Sequence, residues 1–197
     1  TPIVPEVAIC FENKLFRGNR TSKLNAENFG AFMSGNYPAL ADIGVHIRYH
    51  NSLILKPNFK KLRVQKELDD NIAILKLFPG ITPNTVKSIL HTDGLKAVIL
   101  ETFGAGNAPT ATWFLDQLKE AIGRGIILYN VTQCKGGTVE MGKYETSAAL
   151  ADIGVVGGYD ITTESAVTKL MFLLGCGYST QAVKQLLQTS LHGEMTV

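Results

Sequence analysis

The chain has few cysteines. Its three, Cys10, Cys134 and Cys176, are odd in number and far apart, with no CxxC pair. That argues against a disulfide framework and a zinc ribbon and fits a reducing cytoplasm. Charge of one sign is also scarce: 19 basic against 17 acidic residues leave a net charge of +2. No basic field for nucleic acid results, and no acidic tail. Long apolar runs are missing as well, since the stretch from Ala166 to Gly175 is interrupted by Lys169. A membrane span is excluded on length. Neither a signal peptide nor GxSxG, HExxH or a P-loop can be found. What remains is 197 residues, 45% hydrophobic, enough to bury a core in one domain or two small ones.

The stretch LKAVILETFGAGNAPTATW, residues 95–113, organises the rest. Residues 96–100 form a nearly continuous β-favouring run, as in a strand covered on both faces. A glycine-broken turn, Gly104-Ala105-Gly106, follows; Asn107 is expected to cap a helix and Pro109 to sit in its first turn. Such a turn lies at the carboxyl end of its strand, the edge of an α/β sheet where ligands bind. GAGNAP nearly matches the dinucleotide fingerprint but has Pro109 at the third glycine, and no acidic residue closes the next strand in Asn130-Val131-Thr132-Gln133. Nicotinamide binding is disfavoured.

Before this stretch, residues 6–11 and 15–17 read as a hairpin turning at Glu12-Asn13-Lys14, residues 26–33 as a helical turn, and residues 45–49 as a strand projecting His46 and His50 together. Two histidines without a third ligand do not make a metal site. The loop RGNRTSK, residues 17–23, carries three cations in seven positions and on spacing alone is a solvated basic turn. Lys23 could move protons if it were sheltered near other cations. A free N-terminal Thr1 could in principle serve as a nucleophile, but the strand and helix alternation does not suit that enzyme class. Residues 1–55 offer too little to close a core and look like the end of a larger domain, and residues 56–70 read as a linker.

Residues 71–197 are regular. Strands are expected at 72–77, 96–100, 126–131 and 155–156, each followed by helix, with Thr82, Thr162 and Ser179 or Thr180 as caps. Right-handed crossovers then give an α/β fold: a three-layer αβα domain around a four-stranded parallel sheet, preceded by the remnant.

Four blocks in order, RGNRTSK, LETFGAGNAP, GIILYNVTQCKGG and ADIGVVGGYDITTESAVTKLMFLL, together resemble the bacterial type I, cytoplasmic L-asparaginases over essentially the whole chain. The resemblance implies an amidohydrolase that converts L-asparagine to aspartate and ammonia through a threonine nucleophile, in homodimers or homotetramers, with no metal or cofactor. It places the nucleophile and a Thr-Asp pair before Thr1, so that the 197 residues alone would be inactive. It also makes Lys23 the active-site lysine, overturning the solvated-turn reading, and sets Asn107 near the active site of the neighbouring subunit. Some members bind a second asparagine as activator; the matching positions here are Ser22, Glu101 and Cys134. Serine keeps a hydrogen bond where the family has threonine, but Glu101 replaces an arginine and would repel a carboxylate. The alternatives are a non-enzymatic amino-acid-sensing or oligomerisation module of the same fold, and a glutamine-preferring or tRNA-amidating relative.

Overall fold

The computed structural model describes residues 3–57, 61, 63–143 and 145–197, the Glu145 side chain excepted. Thr1 lies outside the described residues, as does part of the 56–70 segment, whose described residues form no helix or strand.

The front of the chain is antiparallel. Strands β1 (Ala8–Phe11) and β2 (Lys14–Arg17) form a hairpin, and β5 (Ala41–Ile43) and β6 (Ile47–Tyr49) extend it in the order β1-β2-β5-β6. Glu12, in the hairpin turn, takes a φ of 50°. The short strands β3 (Ser22–Lys23) and β4 (Phe32–Met33) pair separately, Lys23 opposite Phe32. The helical turn expected at residues 26–33 is therefore absent. Asn25 diverts the backbone by accepting hydrogen bonds from the N–H groups of Glu27 (2.8 Å) and Asn28 (3.0 Å), which competes with a helix for the same donors. The strand expected from Val45 starts two residues later, leaving His46 in the turn, while His50 lies 2.8 Å from Asp42.

The second half follows the expected alternation: β7 (Ile72–Lys76), α1 (Pro83–Leu90), β8 (Ala97–Thr102), α2 (Thr112–Gly123), β9 (Ile127–Thr132), α3 (Glu145–Asp152), β10 (Val156–Gly157), α4 (Thr163–Gly175) and α5 (Thr180–Leu187). All four strands run parallel in the order β10-β9-β8-β7. Strand pleating sorts the core. Val98, Leu100 and Leu128 pack with Val86, Leu90, Phe114, Leu118 and Leu150 on one face, while Ala97, Ile99, Ile127 and Tyr129 pack with Leu170, Leu173, Val183 and Leu187 on the other. The four-stranded parallel sheet covered on both faces is thus the arrangement expected from the sequence. Three caps hold as well: Thr82, Thr162 and Ser179 accept from the third residue of their helices.

One local expectation fails. Asn107 does not cap α2, which begins at Thr112 behind Ala111. Instead Phe103 and Asn107 exchange two backbone hydrogen bonds of 2.8 and 2.9 Å, so the glycine turn closes back on its own strand before the helix can start.

Candidate active site

The carboxyl ends of the parallel strands carry the residues of interest, and the chain pins their backbone closely there. Three successive carbonyls of the Gly104 to Gly106 turn are held from outside it. The Thr132 hydroxyl donates to Gly104 O at 2.6 Å, Glu140 N–H to Ala105 O at 3.0 Å, and Asn130 Nδ2 to Gly106 O at 3.3 Å. Gly106 itself has φ +104°, and a Cβ there would lie 2.8 Å from Val139 Cγ1, so the position demands glycine. The turn therefore presents a half-buried Asn107 in one orientation, its Oδ1 accepting from Thr146 Oγ1 at 2.6 Å.

The basic loop is not a solvated turn. Arg17 and Arg20 are buried, at 4% and 2% exposure. Arg17 pairs with Glu6, donates to Leu53 O at 2.9 Å and to Gly193 O at 3.2 Å, and stacks 4.3 Å from the Tyr37 ring centroid. Arg20 makes a two-pronged ion pair with Asp160, both bonds 2.8 Å, and its Nη2 also donates to the Thr196 hydroxyl. Burial alone would push the Asp160 carboxyl up, but the hydrogen bonds from Arg20 and Thr196 hold it below the usual carboxylate range. Lys23 alone of the three cations is exposed, and its ammonium meets no acceptor among the described residues. The shelter and unpaired neighbouring cations that would have marked it as a proton-transfer group are both missing from the described residues.

Ser22 and Cys134, 112 positions apart in the chain, line one small cavity of about 20 Å³ with Asn36, Thr132, Asp160 and Thr163. That volume admits roughly one water molecule. The Ser22 hydroxyl donates to Glu164 at 3.1 Å. Glu101 reaches the same wall through Thr163, whose hydroxyl donates to it at 2.7 Å. The three residues expected to form one group are thereby brought together; Lys23 and Asn107 do not line this cavity.

Several residues that hold the face together carry almost no signal of that role in the sequence: Arg20, Asn36, Asn130, Thr132 and Asp160. Asn36 accepts from Gly137 N–H at 2.7 Å and donates to Gly137 O at 2.9 Å and to Asp160 O at 3.2 Å, tying the loop after β9 to the front of the chain. The pair Gly157-Gly158 ahead of Asp160, at a strand's carboxyl end, was the one local signal available. Among the described residues, no group of three side chains able to hold a metal occurs and no helix is long and apolar enough to cross a membrane.

Comparison with known proteins agrees with this geometry over nearly the whole chain. A family model described as the glutaminase/asparaginase C-terminal domain matches residues 71–187, and one described as the N-terminal asparaginase domain matches residues 1–55. The chain is 41% identical over 193 residues to L-asparaginase 1 of Escherichia coli K12, covering 98% of this chain and 57% of that protein. It is also 41% identical over 197 residues to a mouse 60 kDa lysophospholipase, covering 99% of this chain and 35% of that one. The crystal structure of L-asparaginase I from Vibrio cholerae superposes with a TM-score of 0.91 at 41% identity, covering 98% of this chain and 58% of the other. The chain thus spans less than two thirds of the length of each.

Proposed function

The chain belongs to the glutaminase/asparaginase family, and from that premise we propose that it is part of an amidohydrolase that converts L-asparagine to L-aspartate and ammonia. The observation that carries this is the 41% identity over 193 residues to an L-asparaginase, together with a TM-score of 0.91 to the structure of another. In this reading a threonine hydroxyl supplied by a segment outside the 197 residues attacks the side-chain amide carbon. The C–N bond breaks, ammonia leaves with a proton, and water releases aspartate from the ester. Lys23 supports the proton transfers. Its exposure, and the lack of a partner among the described residues, suit a group whose neighbours come from another segment.

Asn107, fixed in its turn, closes the active site of a neighbouring subunit, so the working unit is a homodimer or homotetramer. Residues 1–55 complete the N-terminal domain, residues 56–70 link, and residues 71–197 form the C-terminal domain. No metal or organic cofactor takes part, and the enzyme works in the cytoplasm.

The test is ammonia release from asparagine and from glutamine, by the 197-residue chain and by the full-length protein. The short chain is expected to be inactive, and Lys23→Met in the full-length protein to lose about a hundredfold or more in kcat, the range for a proton-transfer group. A short chain as fast as the full-length one, or a Lys23→Met enzyme at the wild-type rate, refutes the assignment.

A further inference from the structure

Lys23 sits on a strand of two residues, whose only strand partner among the described residues is the equally short β4. That is too little pairing to hold a side chain still. Its own half adds a bond from Arg20 to Asn36 O at 3.3 Å and one from Leu24 N–H to Ala31 O at 2.7 Å; the side-chain ties that reach further come from the other half of the molecule. Arg20, three residues ahead of Lys23, is clamped by Asp160; Ser22, one residue ahead, donates to Glu164; and Ser165 donates to the carbonyl of Asn19. Each acceptor or donor belongs to the β10–α4 turn or the first turn of α4. Of these only the Arg20–Asp160 contact is both two-pronged and buried. A guanidinium fork on a carboxylate sets orientation as well as distance.

The turn that carries Asp160 is built to hold it there. Gly158 donates its N–H to Asn130 O at 2.8 Å, and a Cβ on Gly158 would fall 2.8 Å from that same oxygen. Tyr159 takes a φ of +52°, unusual for a residue with a bulky side chain, and its carbonyl accepts from Val139 N–H at 2.8 Å. Asp160 then accepts a further bond from Thr196 N–H at 2.7 Å. Asn130, which anchors this turn through its backbone, also holds the Asn107 turn through its side chain.

We propose that Asp160, acting through Arg20, is the positioning residue for Lys23: the carboxylate of the C-terminal half sets where the lysine of the N-terminal half presents its ammonium. The inference rests on the assignment of Lys23 to proton transfer.

The experiment uses the full-length protein and steady-state asparagine hydrolysis. Four variants are compared: Asp160→Asn, Arg20→Lys, Lys23→Met, and Asp69→Asn as a control whose ion pair with Lys96 lies at the amino end of the sheet. Asp160→Asn is expected to lower kcat tenfold or more with KM within twofold of wild type, because a displaced proton-transfer group slows chemistry without loosening substrate. Arg20→Lys keeps the charge but loses the fork and should lower kcat by a smaller factor. Asp69→Asn should lower the melting temperature at unchanged kcat, separating lost stability from lost positioning. If Asp160→Asn does not fold, Arg20→Lys decides alone. A folded Asp160→Asn or Arg20→Lys enzyme with wild-type kcat, beside an inactive Lys23→Met, overturns the positioning role and leaves Lys23 in place. A Lys23→Met enzyme with wild-type kcat shows instead that the underlying reading of Lys23 has failed, and the positioning role falls with it.

Discussion

Lys76 and Glu101 stand opposite each other in the register of β7 and β8, with Nζ 3.4 Å from the carboxylate. The lysine is exposed and the carboxylate nearly buried, at 63% and 12% side-chain exposure, and Thr163 holds the other carboxylate oxygen. Glu101 is thus a satisfied structural acceptor at the position where the resemblance leads one to expect an arginine that grips an effector carboxylate. A single charge reversal there would set two cations side by side.

Effector control is tested with that pair. Glu101→Arg combined with Lys76→Glu in the full-length protein restores a cation without stranding a second one. Asparagine is expected to give a sigmoidal rate curve where the unmodified protein gives a hyperbolic one. A hyperbolic curve from the double variant would mean that the charge of Glu101 is not what separates this chain from the activated members.

Acid stability turns on Glu194. Burial would push its carboxyl up, but hydrogen bonds from the Leu191 N–H, Lys169 and the His192 N–H outweigh burial and hold it below the usual value. A depressed folded value stabilises the native state above the unfolded value of about 4.3, and that contribution is lost as pH falls through the folded value. Glu194→Gln leaves the buried Lys169 ammonium without its counter-charge and should cost about 3 kcal/mol at pH 7. The same substitution should flatten the decline between about pH 5 and pH 3, as read by urea unfolding at each pH. Parallel curves for the two proteins would contradict this.

The fold was largely legible because its signals are local. Caps at Thr82, Thr162 and Ser179 lie within three residues of the groups they satisfy, and the apolar runs of β8 and β9 announce strands buried on both faces. The site was legible only in part, because its contacts are not local. Arg20 and Asp160 are 140 positions apart, so the two arginines of RGNRTSK look solvated until the fold delivers their partners. Spacing alone pointed to none of Lys23, Ser22 or Cys134; resemblance did, and the fold then put Ser22 and Cys134 on one cavity. Asn107 closes a turn where a cap is expected, because a short polar residue ahead of a proline fits both equally well.

The glycine turn depends on Thr132. Its hydroxyl donates to Gly104 O and accepts from Cys134 N–H at 3.0 Å, so one oxygen joins the turn after β8 to the loop after β9. Thr132→Val keeps the branched shape and strands both groups, which should cost about 1–3 kcal/mol in thermal unfolding. If Asn107 completes a neighbour's site, KM for asparagine should also rise. An unchanged KM in a measurably destabilised protein would detach Asn107 from substrate.

The tie made by Asn36 is testable by proteolysis. Lys135 is exposed in the loop after β9, followed by glycines at 136 and 137, which suits tryptic attack wherever the backbone can leave its fold. What holds it is Asn36, whose amide takes both the N–H and the carbonyl of Gly137 and reaches the carbonyl of Asp160 as well. Asn36→Ala removes all three bonds without touching the sheet, so local opening should become easier by about 1–3 kcal/mol, while global unfolding shifts by less. In the regime where cleavage follows the open population, that converts to roughly fivefold or more faster cutting after Lys135. The rate is read from the appearance of the fragment ending at Lys135, with cutting after the exposed Lys87 as the internal reference. Equal acceleration at both sites would show that the substitution loosens the whole domain, and Asn36 would then not be the tie that holds this loop to the front of the chain.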